Sequence, residues 1–190
     1  MKSILFGITI LALTCTACTQ NSSKPTEANN ADSANVNTTT PSENPSKQST
    51  NEVVTHYLHL KNALTADNSQ EAATAGKAIV EALQKIDTAT LTADQSRAFG
   101  DMKDDMTEHG KHIGDNANKI EHQREHFEML SNGLYDLLKS LGTDRTLYKD
   151  NCPMYNDKKG ANWISEVQEI KNPYYGKKML TCGTMKEEIK

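Results

Sequence analysis

Aromatic residues make up only 5% of this 190-residue chain, too few to build the alternating apolar faces of a β-sandwich. The apolar content comes mostly from Leu, Ile, Ala and Met, which favours helices. Basic residues do not gather either. Lys and Glu are interspersed, the formal net charge is −4 and the pI is about 5.9. With no basic stripe, nucleic acid is excluded as a partner. No Ser-His-Asp order, glycine-rich phosphate cradle or paired-acid motif stands out, so the sequence does not read as an enzyme. The charged runs Asp101 to Asp105 and Lys186 to Lys190 read as solvated faces.

The one long apolar run, Ile4 to Leu13, is too short for a permanent bilayer span. It follows Lys2 and precedes Thr16-Ala17-Cys18, the order of a secretory signal peptide over residues 1–17. A cysteine behind a small residue resembles the bacterial lipobox, although Cys15 stands where a leucine is usual. Cys18 is then the acylated first residue, with cleavage without lipidation as the competing reading. No acid follows Cys18 in Thr19 to Ser23, which favours a periplasmic, lipid-anchored location over surface export. Residues 18–49 are Asn, Ser, Thr, Pro, Ala and a few charges. Such a stretch buries too little surface to offset chain entropy and reads as a disordered tether.

Four helical patterns fill residues 50–142. Val53, Tyr57, Leu60 and Leu64 form the first stripe; Ala72, Ala75, Ile79, Leu83 and Ile86 the second. Thr92 with Gln95, behind Leu91, announces a third helix by a capping box and staple. Its stripe is Phe99, Met102, Met106, His109 and Ile113, and Gly110 and Gly114 weaken its end. Asn118 with Glu121 resembles a second capping box, opening a helix lined by Ile120, Phe127, Leu130, Leu134, Leu137 and Leu141 and closed by Gly142. Short connections predict an all-α, up-down-up-down four-helix bundle. Residues 143–190 read as an irregular cap with room for one small β-hairpin, using Trp163-Ile164 and Lys178-Met179-Leu180. Trp163, Tyr174 and Tyr175 would pack it on the bundle.

Chemistry concentrates at one helix-helix turn. If the turn centres near Asn116-Ala117, facing positions sum to about 234. His112 is then level with His122, and His109 with Glu125 beside His126. Met106 lies level with Glu128, beside Met129. Imidazole and thioether together suit a soft transition metal, copper first, with zinc or silver as alternatives. The bland reading makes these histidines polar surface groups and the methionines core filler. His56 and His59 share a face of the first helix, but a pair alone makes a weak site. Cys152 and Cys182 admit two readings. As a disulfide they close a loop of about thirty residues and staple the cap, contributing ~3 kcal/mol. As thiolates, with Met154 and Met179 nearby, they form an alternative metal site. A thiol redox role is the weakest reading, since no Cys-x-x-Cys pair is present.

Three stretches carry a resemblance: Tyr57 to Leu64, His122 to Ser131, and Cys152-Pro153-Met154 through Lys159-Gly160-Ala161, Glu169-Ile170 and Asn172-Pro173-Tyr174 to Cys182-Gly183. Together, over roughly Glu52 to Ile189, they resemble an uncharacterised periplasmic domain family. Its members occur as small lipoproteins and fused to HlyD-type adaptors of copper and silver efflux systems. The resemblance implies a setting in metal efflux or homeostasis rather than a mechanism, with an efflux adaptor as candidate partner. The rival expectation is a metal-free interaction module docking on such an adaptor or on another envelope protein.

Overall fold

The computed structural model describes residues 45–190, with side chains from Thr50 onward. The signal peptide, the acylation site at Cys18 and the tether as far as residue 44 lie outside these residues. The described part is mostly helical, with a three-stranded antiparallel sheet at its C-terminal end.

Helix α1 spans Pro45–Thr65. It begins about five residues inside the stretch read as tether. Proline is well placed at a first helical position, where its missing N–H had no partner anyway and its ring presets φ. Helix α2 (Ser69–Gln84) starts at Asn68, whose side chain accepts from the Glu71 N–H at 3.1 Å. Helix α3 (Ala93–Asp115) carries the reciprocal Thr92–Gln95 capping box. Helix α4 (Ile120–Leu141) departs from expectation at its start. Lys119 occupies the cap without a side-chain bond, and Glu121 turns to Arg124 instead of closing a box with Asn118. At its other end Gly142 takes φ 79°, a left-handed conformation open to glycine.

Neighbouring helices pack in chain order, and α1 also meets α4. The glycines expected to weaken α3 have a different role. A Cβ on Gly110 would stand 2.8 Å from Val80 Cγ2 and 3.3 Å from the Gly76 carbonyl. The first contact is closer than real Cβ atoms come and the second is tighter than most, so the glycines set how closely α2 and α3 approach.

The cap is a sheet rather than an irregular piece. Its order is β2-β1-β3, with β1 (Leu147–Cys152) central, β2 Ala161–Ser165 and β3 Thr184–Ile189. The expected strand at Trp163-Ile164 is β2. Lys178-Met179-Leu180 is not a strand: Lys178 ends a 3-10 turn that starts at Gly176, and Met179 and Leu180 continue into a turn. The edge strand β3 runs instead through the charged stretch, which stays largely exposed apart from Ile189. Strand β1 was hidden because its residues, Leu-Tyr-Lys-Asp-Asn-Cys, do not alternate apolar with polar.

Leu147, Trp163, Ile164, Tyr174 and Ile189 are buried in the same cluster as Leu60, Leu64, Phe127 and Leu134. The sheet therefore shares one core with the helices. The expected disulfide is absent: Cys152 and Cys182 are both free, with their sulfurs 3.4 Å apart.

Candidate metal centre

Helices α3 and α4 are joined by four residues, 116 to 119, with the Lys119 N–H bonded to the Asn116 carbonyl at 3.0 Å. Gln123, Arg124 and Phe127 point α4 inward. Gln123 Nε2 donates to the carbonyls of Ser69 and Ile113, both at 3.0 Å, which locks the first turn of α4 to α2 and α3. With that face committed to the core, His122 and His126 come to the groove beside α3, four residues apart on one side of the helix.

There they meet the histidines of α3. The rings of His112 and His126 stack at 4.2 Å between centroids and 7° between planes. His122 stands edge-on to His126 at 4.5 Å. One ligating nitrogen from each of His112, His122 and His126 lies within 4.8 Å of the other two. His112 faces His122 at 5.9 Å, the register that positions summing to 234 predict. His109 completes the group from inside, its Nδ1 3.0 Å from that of His126. One of those two rings donates in this contact, so their tautomers are linked.

The electrostatics favour the neutral form of two of the rings, His126 and His109. Burial, reinforced by His112, His122 and His109, lowers the pKa of His126 to about 4. Burial likewise lowers His109, against the opposing pull of Glu108 and Asp105. Neutral imidazole is the form that ligates a metal. Carboxylates sit behind the outer rings: His112 Nε2 lies 3.8 Å from Glu108, and His122 Nδ1 is 3.2 Å from Glu125. Such partners orient ligating histidines. Sequence reading passed over both, although their i,i+4 and i,i+3 spacings pointed to them.

The methionines stand apart from the three converging imidazoles. Met102, Met106, Met129 and His109 line a neighbouring cleft of about 410 Å³. Met106 is buried and fits against Gly133, whereas Met129 is 51% exposed. Of the alternative set, Cys152 and Cys182 are adjacent, Cys152 buried and Cys182 partly exposed. Met154 is exposed and Met179 half-buried. His59 pairs with Glu71 at 2.6 Å.

Residues 53–146 match the family model of DUF3347, described as a protein of unknown function. The match takes in all four histidines of the cluster. It ends before β1, so the stretch from Cys152 to Gly183 lies beyond it. No curated protein and no solved structure matches the chain.

Proposed function

We propose that the protein binds a soft transition metal, copper first, as a lipid-anchored periplasmic accessory to metal efflux or homeostasis. The observation that carries this reading is the convergence of His112, His122 and His126 within 4.8 Å from two antiparallel helices. Three imidazoles suit copper, with zinc and silver as the other candidates. In this reading α1 to α4 form an up-down-up-down bundle with the metal at the α3–α4 end. His109 holds the His126 tautomer, and Glu108 and Glu125 orient the outer rings. The resemblance to lipoproteins and adaptor-fused domains of copper and silver efflux supplies the setting.

Copper titration of three proteins tests the reading: the parent, His122→Ala/His126→Ala, and Cys152→Ser/Cys182→Ser. The double-histidine variant should lose at least tenfold in affinity, about 1.4 kcal/mol, with helicity unchanged because neither ring fills the core. The double-cysteine variant should bind as the parent does. The reverse result moves the metal to Cys152, Met154, Met179 and Cys182. If none of the three binds copper more tightly than an unrelated histidine-rich helical protein, the metal-free docking module takes its place. Binding should also weaken on acidification, since protonated imidazole cannot ligate.

The anchor has its own test. Cys18→Ser should abolish incorporation of labelled fatty acid in cells, leaving either a free periplasmic protein or an unlipidated precursor. Persistent labelling would assign the lipid to another residue.

A further inference from the structure

On the side of α4 that faces the cap lies a cleft of about 700 Å³. One wall is a row of carboxylates, Glu121, Glu125 and Glu128, spaced four and three residues apart and therefore aligned on the helix. The opposite wall is aromatic. Tyr155 stacks on the buried Tyr174 at 4.3 Å and meets Tyr175 edge-on at 6.0 Å. The Tyr175 hydroxyl donates to the Met154 carbonyl at 3.1 Å, which fixes that wall to the loop after β1. Among the described residues, five large apolar side chains stand exposed, and two of them, Met129 (51%) and Met154 (48%), border this one cleft.

The charge in the cleft is one-sided. Asp157 adds a fourth carboxylate, against the single ammonium of Lys158. Some of these acids are already engaged: Glu121 with Arg124, Glu125 with His122, and Glu128 with Asn156 Nδ2. Arg124 is itself shared with Asp67, so it neutralises the wall only in part. The rim is shaped by Asn156 and Asp157, which hold φ of 51° and 53°. Left-handed backbone costs about 1–2 kcal/mol per L-residue and is best tolerated by Asn and Asp.

We propose that this cleft docks an extended, lysine- or arginine-bearing segment of a partner protein, with basic side chains laid between the α4 carboxylates and the tyrosine wall. Carboxylates attract the charge, tyrosine faces favour a cation over them, and the flexible thioethers of Met129 and Met154 accommodate the aliphatic stems. Neither an acidic segment nor a purely apolar one satisfies both walls. The inference is independent of metal binding.

Fluorescence anisotropy with a labelled lysine-serine peptide on the full-length protein tests it. Glutamate-serine and methionine-serine peptides serve as controls. The lysine peptide should bind, more weakly at high salt. Glu128→Gln/Asp157→Asn should weaken binding about tenfold, and Tyr155→Leu, which keeps every charge, several-fold. Asp101→Asn/Asp104→Asn removes the same charge from the exposed face of α3 and should change nothing. Neither substitution in the cleft touches a histidine, so copper affinity should be unaffected. Three outcomes overturn the proposal: no binding of the lysine peptide, an equal loss in the α3 variant, or equal binding of the methionine-serine peptide. The last would make the occupant apolar.

Discussion

Arg124→Ala should lower the stability of the protein by about 3–5 kcal/mol, the range found when one partner of a buried charge network is removed. The guanidinium is nearly inaccessible, with its side chain 5% exposed. It bonds to the Pro173 carbonyl at 2.9 Å, the Leu64 carbonyl at 3.1 Å, Asp67 at 2.6 Å and Glu121 at 3.0 Å. Those partners belong to the end of α1, the α1–α2 turn, the first turn of α4 and the loop between β2 and β3. Burial tends to raise the Asp67 carboxyl, but the Arg124 hydrogen bond and charge outweigh it and hold the pKa below its usual range. Gly176, at φ 54°, packs against the same pair, and a Cβ there would overlap Asp67 Oδ1 and Arg124 Nη2. Truncation leaves the Pro173 carbonyl without its arginine donor and the Leu64 carbonyl with only the Asp67 N–H, beneath a gap the size of the guanidinium. Denaturant melts of the parent, Arg124→Ala and Arg124→Lys in metal-free buffer measure the effect. Lysine should recover only part of the loss, because one ammonium cannot span four acceptors. A loss below about 1 kcal/mol would mean that the network behaves as a surface pair.

Asp150→Asn should have the opposite sign and depend on pH. Asp150 is fully buried at the bulge in β1, and neither carboxyl oxygen has a hydrogen-bond partner. Burial raises its pKa from 3.8 to about 7, against the pull of Lys61. Lys61 is itself buried and bonded to Glu166 at 2.6 Å, so its charge is already committed. Between about pH 4 and 7 the folded protein keeps the Asp150 proton while the unfolded chain has lost it. Stability therefore falls as pH rises through this window and stays lower above it. The asparagine variant escapes that loss. The distance from 3.8 to about 7 sets a ceiling of ~4 kcal/mol. Relaxation and water entry should reduce the gain to about 2 kcal/mol at pH 8, or ~4–8 °C in melting temperature. Near pH 4 parent and variant should melt within ~1 °C of each other. A gain equal at both pH values would assign the effect to packing rather than to the charge.

Much of the helical part could be read along the chain, because its signals are local. Thr92 and Gln95 cap one another across a single turn, and Gly142 ends α4 by a conformation that glycine tolerates. The register of the α3–α4 pair also follows from local information. Four connecting residues leave little freedom, so His112 opposite His122 was a matter of counting. The same counting put Met129 beside Met106, and both line one cleft with His109; how deeply each is buried depends on which face of α4 turns inward, and Gln123 and Arg124 are on that face. Their partners, Ser69, Asp67 and Pro173, lie about fifty residues away.

The sheet was the least legible element. Its central strand has no alternation and its edge strand is a charged run. An edge strand with one solvated face can be made of Lys and Glu once a neighbour supplies the hydrogen bonds. The cap seemed to need a disulfide because its own apolar residues are few. Seen in place, Trp163, Ile164 and Tyr174 share the core of the helices, and the two cysteines meet as free thiols.

Sequence alone determined that four helical segments lie between about residue 50 and Gly142 and which histidines stand level across one turn, since both depend on contacts within a few residues. Tertiary structure decided which polar groups are buried. Arg124 is stabilised there by three distant acceptors besides Glu121, and Asp150 is held where no donor reaches its oxygens. Whether a charge is supported or stranded depends on the groups that folding brings around it, and those groups have no local signature in the chain.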